Sequence, residues 1–198
     1  MSEVAICNQA LSLVGAQHIT SFDDDQIEAK LCKTIYAPVR DAVLSEHGWR
    51  FATRWEEIPA SANPSPGEYT NEFPLPPDVL SVLFVGRDYE HPEIWQLEDS
   101  AIRSNVNKCK CQVLYQVEDT SKFTATFTQA LVARLAAELA IPITNSRTLM
   151  ENMYAMYESK VRIAVSKDGQ QGRSRRIRST WLTGARYRGG YVGAGPEV

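Results

Sequence analysis

Apolar positions recur with helical spacing from Glu3 to Val14, where Ile6, Ala10, Leu13 and Val14 fall at i, i+4, i+7 and i+8. Gly15 is the natural stop of that helix. A second stretch runs from Gln26 to about Glu46, with Ile27, Leu31, Ile35, Val39, Ala42 and Val43 on one side. The run Asp23-Asp24-Asp25 before it is predicted to cap this helix, because carboxylates at a helix start accept hydrogen bonds from orphan amides and complement the dipole. Pro38 lies inside the pattern. It lacks an amide hydrogen and its ring clashes with the carbonyl four residues back, so a kink or an interruption is predicted there.

After His47-Gly48-Trp49 the period changes. Phe51 to Ile58 has a strand-like pattern, and the following stretch carries prolines at 59, 64, 66, 74, 76 and 77, a loop around at most one short strand at Tyr69–Phe73. Val79–Val85, Ile94–Leu97 and Cys111–Val117 are predicted strands, the last with Cys111, Val113, Tyr115 and Val117 on one face. Helical spacing returns from Thr124 to Ile141-Pro142 through Phe127, Ala130, Leu131, Leu135 and Leu139. It resumes from Asn145 or Ser146 through Met153, Tyr157 and Val161 to a stop at Asp168-Gly169. The expected fold is α+β: four main helices in two pairs (about 3–14, 25–47, 124–141 and 146–167), with an antiparallel β region of four or five strands (about 51–117) inserted between helices 2 and 3. One domain over 1–172 and an extended C-terminal tail over 173–198 complete the expected layout.

Charge divides the chain in the same place. Through Gly172 there are 15 Lys+Arg against 23 Asp+Glu, a balance of −8; from Arg173 onward six Arg face Glu197 alone, giving +5. A basic arm on an acidic body suits a negative partner, either nucleic acid or an acidic protein surface, though a merely solvated tail has the same composition. The arm interleaves Arg with Trp181, Tyr187 and Tyr191, as protein-interface hot spots and nucleic-acid-binding arms both do.

Signatures of chemistry are sparse. His18, His47 and His91 fall in a loop, a helix end and a Pro-rich turn, with no nucleophile motif beside them. Cys109 and Cys111 share a strand face, yet no further ligand stands near, so packing and weak redox sensitivity are expected and no metal. Neighbouring carboxylates at Glu56-Glu57 and Glu98-Asp99 point to opposite strand faces and cannot form an acid/base pair alone. No phosphate-cradling glycine motif occurs, and the contiguous Asp run lacks the alternation of a calcium loop. No catalytic residue, cofactor or metal is therefore assigned. With no run near the roughly 18 apolar residues of a membrane span and no signal-peptide layout, a cytoplasmic product without a membrane partner is expected.

Several stretches, in order, resemble the tail tubular protein A, or head-to-tail adaptor, family of short-tailed bacteriophages. They are NQALSLVGAQHITSFDDD, then Tyr36 with Arg40-Asp41 and EHGWRFATRW, then FPLPPDVLSVLFV and YQVEDTSKFTATFTQALVARLAAELAIPIT. The resemblance covers about Val4 to Gly172. It implies a virion structural protein, assembled in the host cytoplasm, that forms a homo-oligomeric ring, typically twelve-fold. Such a ring joins the portal protein to the downstream tail (nozzle) protein and lets genomic DNA pass without sequence-specific binding. By the same resemblance the C-terminal arm docks on the portal, with Arg173, Arg175, Arg176, Arg178, Arg186 and Arg188 as electrostatic contacts and Trp181 and Tyr187 as anchors. Two other classes remain open: a nucleic-acid-binding protein using the Arg-rich arm, and a tail-associated cell-wall hydrolase.

Overall fold

A computed structural model describes residues 1–64 and 67–171. The order is α1 (Glu3–Val14), α2 (Ile27–Ser45), β1 (Thr53–Ile58), β2 (Asn71–Pro74), β3 (Val79–Asp88), β4 (His91–Pro92), β5 (Trp95–Glu98), β6 (Ala101–Ser104), β7 (Cys109–Tyr115), α3 (Ala125–Thr144) and α4 (Arg147–Gln170). The fold is α+β, with the β region between helices 2 and 3.

Helix α3 is the axis of the helical layer. Its faces pack on α1, α2 and α4, and Ala130, Ala133, Ala136, Ala137 and Ala140 let those helices approach closely while Phe127, Leu131, Leu135 and Leu139 fill the gaps. It is long and apolar enough to span a membrane by length and composition; its burial inside the layer accounts for that composition. The helix starts are capped locally: Ser2 accepts from the Ala5 amide, Thr124 from Phe127 and Ser146 from Leu149. Gly15 and Asn145, both left-handed, close α1 and α3.

At Pro38 helix α2 is not interrupted, and at Pro142 helix α3 outruns its expected end, continuing to Thr144. Each proline is exposed, and the residue four back, Thr34 or Glu138, is exposed too, so the carbonyl that loses its partner lies on the solvent side. Helix α4 likewise passes through Gly169 to Gln170. The aspartate run does not cap α2, whose N-cap Gln26 makes no side-chain cap bond. Asp24 instead accepts from the Thr20 and Ser21 amides and the Thr20 hydroxyl, closing the α1–α2 turn, while Asp23 and Asp25 pair with Lys33 and Lys30.

Two antiparallel sheets, ordered β1-β7-β3-β4 and β2-β6-β5, share a second, smaller core of Ile58, Phe73, Val85, Ile102, Cys109, Cys111, Val113 and Tyr115. Strands β4 and β6 were not anticipated. Strand β6 reads Ala-Ile-Arg-Ser, and its Arg103 breaks the apolar signal although all four residues are buried. The predicted strand through Val117 ends at Tyr115, and Val117 packs in the helical core, which Leu114 reaches from the face of β7 opposite Val113 and Tyr115.

Candidate assembly surfaces

The junction between the two layers is built by the stretch Glu46–Trp55. Trp49 is fully buried, donates to the Val43 carbonyl (3.1 Å) and meets the Phe127 ring edge-on at 5.0 Å; Phe51 also meets Phe127 edge-to-face. Asp168, 4% exposed at the far end of α4, accepts the Arg50 amide at 3.2 Å and has His47 Nε2 at 3.5 Å, while Arg50 Nε donates to its carbonyl. Tyr157 hydrogen-bonds Glu46; burial, then that bond, pushes the phenol up. On the other side of α2, buried Arg40 pairs with Asp41 at 2.8 Å, and Asp41 accepts from Gln116 beyond β7. Burial disfavours the Arg40 charge, but Asp41 outweighs it and the net shift is upward. Tyr36, one turn earlier, is also pushed up by burial. These side chains tie α4 to the connection after α2, and α2 to the segment after β7.

An open polar groove of about 300 Å³ lies against this junction, lined among others by Arg54, Asp78, Tyr115, Glu118, Asp119 and Lys122. The Arg54 guanidinium lies over the Tyr115 ring at 3.3 Å and reaches Asp78 at 3.9 Å. Acid and base alternate along its wall, so it carries no focused field for one ligand sign.

An aromatic patch stands on the outer face of the four-stranded sheet. Register places Trp55, Gln112 and Phe84 in one row across β1, β7 and β3, and Tyr89 covers it at 5.2 Å from Trp55 and 4.8 Å from Phe84. A bulge between Val82 and Phe84 puts Leu83 out of step; Leu83 sits against Gly48, where an added Cβ would meet its methyl at 3.0 Å. Trp55 is 37% and Leu83 38% exposed, and Lys110 lies 5.5 Å from the Trp55 ring. This patch has no signal in the periodicity, because the bulge that sets Phe84 opposite Gln112 is invisible in sequence. Tyr154 and Ile163 on α4 are further exposed apolar side chains.

The groups screened for chemistry stay apart. His18 touches Ser12 at 2.7 Å, but Ser12 donates its proton to the Asn8 carbonyl and so is held in the helix rather than activated. His91 pairs with Asp88 at 2.7 Å on the surface. Among the described residues no group of His, Cys, Asp and Glu is arranged to hold a metal. All four cysteines are free and buried. The Cys7 thiol is pushed up by its hydrogen bond with Cys32 and by burial, and Cys109 likewise by Cys111. Glu57 pairs with Lys108 and Glu98 with Arg103, so neither carboxylate couple converges. Arg173, Arg175, Arg176, Arg178, Trp181, Arg186, Tyr187 and Arg188 lie outside the described residues.

A helical layer with a continuous core and a β region that leaves apolar side chains on its outer faces suit a subunit that packs against others. A family model, that of the tail tubular proteins, matches residues 4–109, from α1 to the first residue of β7, and the chain belongs to that family. It is a structural component of a bacteriophage tail. A comparison with curated proteins returned no match.

Proposed function

We propose that this tail tubular protein is a head-to-tail adaptor: copies form a ring, probed most simply as twelve-fold, between the portal protein and the downstream nozzle, at the head–tail interface of the virion. The ring assembles in the host cytoplasm, has no catalytic step of its own, and lets genomic DNA pass. The family match carries the reading. A closed ring needs a heterologous interface, two different patches per subunit. The Trp55–Phe84–Tyr89 face of the sheet and the exposed side of α4 at Ile163 supply two candidates. The acidic balance of residues 1–172 favours DNA passage over retention. The arm from Arg173 to Arg188 docks on the portal, its arginines as electrostatic contacts and Trp181 and Tyr187 as anchors.

Light scattering on a sizing column, with the protein alone and mixed with its portal, tests this. A shift to a ring-sized complex is expected, lost on deletion of residues 173–198. Failure to associate at any portal concentration would overturn it. The nucleic-acid reading rests on the same arginines and is separated by DNA affinity that falls steeply with salt.

A further inference from the structure

Strand β5 is the outermost strand of its sheet, hydrogen-bonded to β6 on one side and to no strand on the other among the described residues. Unpaired strand edges are templates for another extended segment, and proteins usually blunt them with charge or cover them. Here Ile94, just before β5, is 81% exposed, and Leu97 within it 50%. Leu97 lies opposite the buried Ile102, so the exposed side chain continues the small core outward instead of standing alone in solvent. Around this apolar edge the stretch Asp88–Asp99 contains five acidic residues and no Lys or Arg. Asp88 is taken by Arg87 and His91, and Glu98 by Arg103, while Glu90, Glu93 and Asp99 make no ion pair among the described residues.

The chain itself supplies the complement. Residues 173–188 hold six arginines and no acid, together with Ile177, Trp181, Leu182 and Tyr187. The described chain ends at Gln171, three residues past Asp168, which is tied to Arg50 just before β1; β1 and β3 begin at the same end of the sheet, Thr53 and Ser81 both lying opposite Leu114. From there β3 spans ten residues to the acidic edge, about 33 Å at strand rise. About ten extended residues cross that span, which leaves Arg186, Tyr187 and Arg188 to lie along β5. We propose that, before assembly, the C-terminal segment docks on the β5 edge of its own copy, Arg186 and Arg188 in the acidic surround of Glu90, Glu93 and Asp99 with Tyr187 against Ile94 and Leu97, and that the portal displaces it. This latch rests on the adaptor reading only for the displacement. Held there, the arm is kept from other acidic surfaces until a partner offers more apolar area.

The test uses the full chain with the photoreactive residue benzoylphenylalanine in place of Ile94, whose exposure keeps the substitution out of the core. Irradiation followed by digestion and mass spectrometry is expected to join position 94 to a peptide from 172–198, in a product of single-chain mass. The yield should drop about tenfold in E90K/E93K/D99K and equally in R186E/R188E, the scale of several surface ion pairs lost together. It should also fall in about 1 M salt, where screening shortens to about 3 Å. Circular dichroism confirms that each variant is folded. No cross-link to 172–198, a cross-link indifferent to both charge reversals, or one found only at double-chain mass would overturn the latch. Sizing the same protein with the portal separates the two readings. A complex without the cross-link sinks only the latch, and a cross-link without a complex sinks only the adaptor reading. Where both form, portal addition should cut the cross-link several-fold.

Discussion

The helical layer and the β region bury their side chains on different scales. The layer around α3 encloses a continuous core from Ile6 to Ala164, with Trp49 and Phe127 meeting at its centre. The two sheets share only a few side chains, and their remaining apolar residues, Trp55, Leu83, Ile94 and Leu97, stay on outer faces and edges. Core size sets how much free energy resists unfolding, so the layer acts as the foundation and the β region as a thinner element that leaves apolar surface uncovered. A difference between regions, rather than a difference between residues, is what this subunit offers to an assembly.

The largest break of that contrast comes from the two cores themselves. Phe127→Ala removes the ring on which Trp49, Phe51 and Phe123 converge, with an expected cost of about 3–5 kcal/mol. Thermal melting should shift for the whole chain. Ile102→Ala in the small core is expected to cost about 2–4 kcal/mol, and hydrogen exchange should rise in β2, β5 and β6 while α1 and α3 stay protected. If the Ile102 change deprotects α3 as strongly as β6, the two regions are one cooperative unit and the contrast fails.

Next is the tie between α4 and the sheet entry. Asp168→Ala leaves the Arg50 amide without its buried carboxylate, an expected loss of about 1.5–3 kcal/mol. The loss should be read by proteolysis near residue 171. Gly86→Ala is confined to the β region: its φ of +151° and a Cβ that would meet the His91 carbonyl at 2.3 Å force the β3–β4 turn apart. A destabilisation of about 1–3 kcal/mol is expected, with the helical amides unaffected in an NMR spectrum.

Much of this contrast was legible before any coordinates. Helical spacing from Ile6 to Val14 and from Phe127 to Leu139 is set by which face is buried, a local signal that survives folding. The rest was set by context. Helices α2 and α3 run on through Pro38 and past Pro142 because the carbonyls those prolines orphan face solvent, which no period reveals. Strand β6 was missed because buried Arg103 is held by Glu98 and Glu72 from neighbouring strands. Within the family stretches, Trp49 and Arg50 lie in the connection from α2 to β1, where Trp49 donates to Val43 of α2 and Arg50 to Asp168 of α4. The aromatic outer patch depended on a bulge and on cross-strand register, both long-range properties.

The smallest effect is a titration in the α1–α2 turn. Hydrogen bonds from the Thr20 and Ser21 amides, then from the Thr20 hydroxyl, hold the Asp24 carboxyl below its ordinary value of 3.8. Since the folded value is the lower one, the turn's contribution is fully present above 3.8 and disappears as pH falls through the depressed folded value. An NMR titration of the Asp24 carboxyl should therefore show a midpoint below 3.8, with the Thr20 and Ser21 amides moving in step. Asp24→Asn should remove that step and leave the Asp88 titration in the β region in place, because Asp88 is lowered by its own bond to His91. A midpoint at or above the ordinary value would mean that the turn closes without the carboxylate, and that the acidic run serves only solvation at the edge of the helical layer.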